Sequence, residues 1–346
     1  MRKFICQCGQ PLFFENTRCV QCKRTLGYDA QSFRMLSLEA LPQTDRWQCP
    51  QGQRFRLCQN YTGYNVCNWL IKASATHRYC LSCRLNQIIP SLSAPENRRG
   101  WARMEIAKRY LIYGLMRLHL PIKPRNEYPE DGLGFAFIED KRSNPDVEED
   151  YVLTGHAEGL ITVNLIEADV INREQQRISL GESYRTLLGH FRHESGHYFF
   201  SRLLASSIHL EEFRELFGDE RIDYQSALER YHCREISVER GEQFISDYAQ
   251  AHPHEDWAEC WAHYLHMHEA LETAVYYQLL NRGVLQAEFN EQIQQWITLS
   301  LSLNALNRGM GLNDAYPFVL STAIIEKLFF VHRVISEVNK SSGNRF

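Results

Sequence analysis

At 346 residues, 44% apolar and 23% charged, the chain has material for a sizeable core and lies outside the compositions of disordered or collagenous proteins. No run approaches the roughly 18 uncharged apolar residues that cross a bilayer, and Met1-Arg2-Lys3-Phe4-Ile5-Cys6 lacks an apolar signal core. A soluble chain in a reducing compartment, the cytoplasm, with no membrane partner, is the expectation. Net charge is −4, but residues 1–95 hold 12 Lys or Arg against 4 Asp or Glu, an excess of the kind that contacts nucleic acid.

Nine of the eleven cysteines precede residue 84, and without a signal peptide that density reads as metal thiolates rather than disulfides. The first set is Cys6-x-Cys8 with Cys19-x-x-Cys22. Each short turn points two sulfurs at one ion, so four thiolates can close a tetrahedral zinc site. The second is Cys58, Cys67 and Cys80-Leu81-Ser82-Cys83, with Cys49 and His77 as possible substitutes; Asn60 and Asn68 offer turn chemistry beside Cys58 and Cys67. All-sulfur spheres leave no position for water, so both sites read as structural, substituting for a core that so short a segment builds poorly. Eight thiolates and two zinc ions halve the apparent excess of positive charge, which leaves nucleic-acid binding only weak electrostatic support.

Residues 91–100 are polar and turn-rich, and the expected boundary falls there: a double zinc-ribbon module over 1–95 and a second domain over 96–346. Apolar residues at Trp101, Met104, Leu111, Ile112, Leu115 and Leu118 predict a packing helix over 101–118. Two short apolar runs, Phe135-Ala136-Phe137-Ile138 and residues 160–166, predict strands, and the remainder reads as mostly helical. The fold class is α+β, a small sheet within a largely helical domain.

Tyr184, Leu187, Leu188, Phe191, Tyr198 and Phe199 mark one side of a helix over 184–204 that contains His193-Glu194-Ser195-Gly196-His197. Residues four apart share a helical face, so both imidazoles can meet one metal while Glu194 turns toward a bound water. Zinc acidifies such a water, and Glu194 is the candidate general base. His190, one turn earlier, reads as a supporting or surface residue. A catalytic zinc needs a third protein ligand and one open position. Downstream, Pro253 suits a first helical turn and places Glu255 and Glu259 one turn apart on the same face. Glu255 is the expected ligand and Glu259 the acceptor that fixes a histidine tautomer; the reverse assignment is the alternative. Ala258 and Ala262 are small enough for close helix approach, whereas Trp257 and Trp261 read as core.

The segments Tyr184-Arg185-Thr186-Leu187-Leu188-Gly189-His190-Phe191-Arg192-His193-Glu194, Glu255-Asp256-Trp257-Ala258-Glu259 with Trp261-Ala262-His263-Tyr264, and Asp314-Ala315-Tyr316-Pro317-Phe318 resemble the bacterial zinc-binding metallopeptidase family that carries an N-terminal zinc ribbon. The likeness covers nearly the whole chain. It implies a zincin-like domain, one catalytic and two structural zinc ions, a peptide or protein substrate, and Cys58 and Cys67 as members of the second site. A Glu-x-x-x-acid helix after His-Glu-x-x-His is similar to the gluzincin clan, which implies Glu255 as zinc ligand and Glu259 as support for a histidine. Lethal-factor-like members carry an oxyanion-stabilising tyrosine seven residues before the zinc glutamate; Tyr248 stands there, and Tyr316 is the alternative. The clan also aligns substrate on an exposed strand, a place that residues 160–166 would take. The expected function is zinc-dependent peptide-bond hydrolysis; the alternative is a zinc-ribbon adaptor for protein or nucleic acid with a non-catalytic His-Glu helix. Cys49 reads as a spare thiol and Cys260 as packing, while Cys233 has no assigned role.

Overall fold

The computed structural model describes residues 1–346 except 143, 145–146, 180–183, 234–241 and 342–346. Parts of the expected helical remainder, 180–183 and 234–241, lie outside the described residues. The N-terminal region is built from short strands. β1 (Phe4–Ile5) and β2 (Pro11–Leu12) form a hairpin, and β3 (Thr25–Asp29), β4 (Arg34–Ala40), β5 (Arg46–Gln48), β6 (Arg54–Leu57) and β7 (Leu70–Lys72) form an antiparallel five-stranded sheet in sequence order. Two single-turn helices, α1 (Gln59–Thr62) and α2 (Leu81–Arg84), begin immediately after Cys58 and Cys80.

A second sheet runs in the order β10 (Gly155–Ala157), β11 (Leu160–Asn164), β9 (Gly134–Ile138) and β8 (Asn86–Ile88). β10 and β11 are an antiparallel hairpin, and β9 pairs in parallel with both β11 and β8. Phe135, Ala136 and Phe137 of β9 are all buried, the continuous apolar run of a strand covered on both faces. The strand expected over 160–166 ends at Asn164, whose side chain accepts from the Ile166 amide and caps a short 3₁₀ turn, Leu165–Ala168.

α3 (Pro95–Arg117) starts six residues earlier than the pattern of apolar residues predicts, so the polar link is limited to the residues before it. Pro95 is pre-set for the first helical turn, Glu96 and Arg117 complement the helix dipole, and buried Asn97 donates to the Ser91 carbonyl and to Glu139. Those bonds satisfy polar groups that apolar periodicity does not register. α4 (Val170–Ser179) lies on the surface; α5 (Leu187–Leu203) is capped by Thr186, whose hydroxyl accepts from the Gly189 amide at 3.0 Å. α6 (Leu210–Phe217), α7 (Tyr224–Cys233), α8 (Pro253–Tyr276), α9 (Phe289–Gly309) and α10 (Thr322–Ser341) complete the chain. Among the described residues no helix is long and apolar enough to cross a membrane.

One core runs through both regions. Phe14 packs on Tyr110 and Tyr113 of α3 with ring centroids 5.1 and 5.6 Å apart, and Phe33 and Tyr28 also reach Tyr113. Arg109 of α3 donates to the Val66 carbonyl, and Arg98 to that of Tyr64. The expectation that zinc replaces a core in the first region is therefore amended: its aromatic residues share the core of the helical region.

Candidate metal centres and active site

The two cysteine sets close as quartets. Cys6, Cys8, Cys19 and Cys22 meet, as do Cys58, Cys67, Cys80 and Cys83, and all eight are free thiols. Cys6 and Cys22 sulfurs are 3.6 Å apart, Cys8 and Cys19 also 3.6 Å, and Cys67 and Cys80 3.7 Å. Four sulfurs about 2.3 Å from one ion sit about 3.8 Å from each other, so these separations fit zinc and are far from a disulfide. Tight turns present the sulfurs: Gly9 and Lys23, just after each cysteine pair, have positive φ of 88° and 61°. The Cys22 backbone amide draws the Cys19 thiol down to about 6 although burial opposes it, whereas Cys8, despite the Gln10 amide, is pushed up to about 11 by burial and the three neighbouring cysteines. Cys49 forms a similar turn, its amide donating to the Gln53 carbonyl, but its thiol is buried with Leu38, Phe55 and Leu70. His77 likewise stands outside both quartets.

The third cluster is His193, His197 and Glu255. α5 supplies the imidazoles one turn apart. α8 supplies the carboxylate from its first turn, which His252 caps by accepting from the His254 amide at 3.0 Å. The Nε2 atoms of His193 and His197 are 3.2 Å apart, Glu255 Oε2 is 2.9 Å from His193 Nε2, and Oε1 is 3.5 Å from His197 Nε2. A four-coordinate zinc with bonds of about 2.0–2.1 Å separates its ligand atoms by about 3.3 Å, so these spacings fit the ion. Glu259 lies one turn further along α8 and accepts from His193 Nδ1 at 2.7 Å. Glu255 thus joins the converging atoms, and Glu259 occupies the outer face of His193.

The electrostatics favour a cation. Burial pulls His193 down, but hydrogen bonds to Glu255 and Glu259 hold it well above its ordinary value. Burial raises Glu259, yet His193 holds it at about 2. Glu194 is raised, chiefly by burial, and its Oε2 is buried without a hydrogen-bond partner, a group with a free acceptor beside the cluster. His190 is lowered to about 3 by burial and by Arg185, and its Nδ1 lies 3.6 Å from Glu167, outside the cluster.

The crossing of α5 and α8 fixes this geometry. A Cβ on Gly196 would stand 2.9 Å from the Ala258 Cα and 3.2 Å from the Trp261 Cβ. Trp257 Nε1 donates to the Gly196 carbonyl at 2.8 Å, and Trp261 Nε1 to the Ser195 hydroxyl at 3.0 Å, so both tryptophans are core residues that also lock the register. Cys260 is buried beside them. Ala in place of Gly gains up to about 1 kcal/mol of helix propensity, but overpacking against a backbone atom costs about 1–3 kcal/mol. Gly196→Ala is expected to lower thermal stability and to weaken metal binding at the third cluster, read by calorimetry and chelator competition.

Tyr248 lies in a 3₁₀ turn, Tyr248–Gln250, with its ring 5.9 Å from that of His193; burial, then Glu255 and Tyr224, push its phenol far up, so it remains a neutral donor. Tyr316 is elsewhere: its hydroxyl meets His263 Nδ1 at 2.7 Å, and its ring packs on Trp296 and Phe318. The aligning strand is also corrected. β11 is paired on both sides, so its backbone groups are spent, whereas β10 beside it is an edge strand, as is β8 at the other side. Its His156 stacks edge-on against Tyr198 of α5 and is lowered to about 4 by burial and then by His197. The sequence reading missed Tyr224, whose hydroxyl donates to Glu255 Oε1 at 2.5 Å. No spacing rule links it to a residue 31 positions away. Cys233 ends α7 exposed.

Comparison with known families gives two matches. Residues 3–94 match the zinc-ribbon domain model, and residues 97–334 match the model described as "Putative zinc-binding metallo-peptidase". The chain belongs to this metallo-peptidase family. Uncharacterized proteins of Mycobacterium bovis and of two Mycobacterium tuberculosis strains are each 42% identical over 347 residues, covering 98% of this chain and 96% of the relative. No solved structure matches. Membership agrees with a third cluster whose ligand atoms could hold a metal ion and with the cysteine quartets before it.

Proposed function

We propose that this family member is a zinc-dependent peptidase in which His193, His197 and Glu255 hold a catalytic zinc, Glu194 is the general base, and the two cysteine quartets hold structural zinc. One observation carries the reading: ligand atoms of His193, His197 and Glu255, all within 4.8 Å of one another, stand beside a buried carboxylate oxygen of Glu194 that has no hydrogen-bond partner. When bound, zinc would supply Lewis acidity, acidifying a water and polarising the scissile carbonyl. Glu194 would take the proton from the attacking water and deliver it to the departing amine, the part its unpartnered buried oxygen leaves it free to play. Glu259 keeps a proton on His193 Nδ1, which leaves the Nε2 lone pair facing the metal. Tyr248 offers a neutral phenol to the developing oxyanion, and the edge of β10 offers main-chain groups to an extended peptide.

The test is digestion of a proteome-derived peptide library read by mass spectrometry. Cleavage is expected, abolished by a zinc chelator and restored by zinc; a library left intact under all conditions would sink the reading. Metal counting separates the enzyme from a zinc-ribbon adaptor. The wild-type chain is expected to hold three zinc ions and His193→Ala two, with the helical content of both unchanged. Two ions in each would favour the adaptor.

A further inference from the structure

Glu255 has two oxygens, and they are treated differently. Oε2 is 2.9 Å from His193 Nε2, while Oε1 lies farther from the imidazoles, 3.5 Å from His197 Nε2, and receives the Tyr224 hydroxyl at 2.5 Å. We infer that Tyr224 is a positioning residue that ties up Oε1 so that Glu255 presents one oxygen, Oε2, to the metal. The inference rests on the reading of His193, His197 and Glu255 as a zinc site.

The physical case begins with the coordination count. A hydrolytic zinc takes three protein ligands and keeps one position open. A carboxylate with both oxygens free can swing to bind through both, and the second oxygen then competes for that position. A short hydrogen bond from a phenol to a carboxylate is charge-assisted, and it withdraws electron density from Oε1 while fixing the plane of the group. Two carboxylates about one imidazole make the constraint more useful, because Glu255 and Glu259 already grip opposite nitrogens of His193.

The tyrosine is itself held in place. Its ring packs 5.1 Å from that of His252, the residue that caps α8 three positions before Glu255. His252 Nδ1 accepts from the His254 amide, so its Nε2 carries the proton and donates to the Ile222 carbonyl at 3.0 Å, two residues before Tyr224. One histidine therefore fixes both the start of α8 and the chain entering α7. Ala227 is the buried residue of α7, and further along the helix Tyr231 meets Tyr248 at 5.8 Å between ring centroids. Through Tyr224 and Tyr231 this lightly buried helix touches the metal-site carboxylate and the candidate oxyanion donor.

The experiment uses the full-length protein with cobalt in the third site, whose visible d–d bands report coordination number, and zinc affinity measured by chelator competition. Tyr224→Phe keeps the ring against His252 and removes the hydroxyl, which bonds Glu255 and also meets Tyr248. It is expected to lower third-site zinc affinity about 10-fold, the low end for loss of an outer hydrogen bond to a ligand, and to weaken the cobalt bands as coordination rises. Tyr224→Gln, which can still donate, should recover part of the affinity. Wild-type affinity and spectrum in Tyr224→Phe would overturn the inference while leaving the metal site standing. A wild-type chain that binds no third metal would overturn both. Charge-transfer bands of any cobalt held by the cysteine quartets should be unchanged in every variant; a change there would show a general disturbance and overturn the positioning role.

Discussion

Glu194→Gln is expected to retain the fold and all three zinc ions while losing peptide hydrolysis by about 10²–10⁴-fold, the usual contribution of a positioned general base. The substitution is informative because of what Glu194 lacks. Its Oε2 is buried without a hydrogen-bond partner, so an amide of nearly the same shape breaks no bond that holds the helix. His193 and His197, on either side of it in α5, keep their places through Glu259, Glu255 and the Gly196–Ala258 crossing. A fall in turnover with constant zinc content and constant melting temperature isolates the proton transfer. Activity equal to wild type on any peptide that the wild-type chain cleaves would refute the mechanism.

Cys83→Ser should have a larger effect on stability. All four members of its quartet are buried, and they belong to the same core as Trp101 and Phe135. Structural zinc in small ribbons contributes about 10–16 kcal/mol of binding, comparable with or larger than the net stability of about 5–15 kcal/mol of a whole domain. Losing one thiolate is therefore expected to drop zinc content by one ion per chain and to leave the protein aggregated or melting tens of degrees lower. Cys49→Ser is the contrast. That thiol is buried in a small apolar cluster with Leu38, Phe55 and Leu70, and its replacement is expected to cost about 1–2 kcal/mol with zinc content unchanged. Equal melting temperatures for the two variants would count against metal in the second quartet.

The parts of the site legible in the sequence share one property: their geometry is local. His193 and His197 are one helical turn apart, Glu255 and Glu259 likewise, and each cysteine pair spans a single turn, so periodicity alone predicts which atoms can converge. Joining the two helices needed more than periodicity, and the resemblance to a known family supplied it. What could not be read was set by long-range packing. Tyr224 reaches Glu255 because His252 pins Ile222, a contact between segments with no shared pattern. The edge strand β10 is three residues long and mixes Gly155, His156 and Ala157, so no alternation announced it, whereas its apolar neighbour β11 drew attention and proved to be interior. The early start of α3 was hidden for the same reason: Asn97 earns its place by bonding Ser91 and Glu139, partners that lie outside the helix.

The aromatic seam between the ribbons and α3 bears on what the molecule tolerates. Cutting the chain ahead of α3 would bare Tyr110, Tyr113 and the apolar stripe beneath them, so the helical portion released that way should stick to itself instead of working as a minimal hydrolase. Starving the cysteine quartets of metal would loosen that same wall from within. The ribbons thus form one wall of the common core, and depletion of metal from the quartets is expected to lower the melting temperature of the whole chain and not of its first part alone.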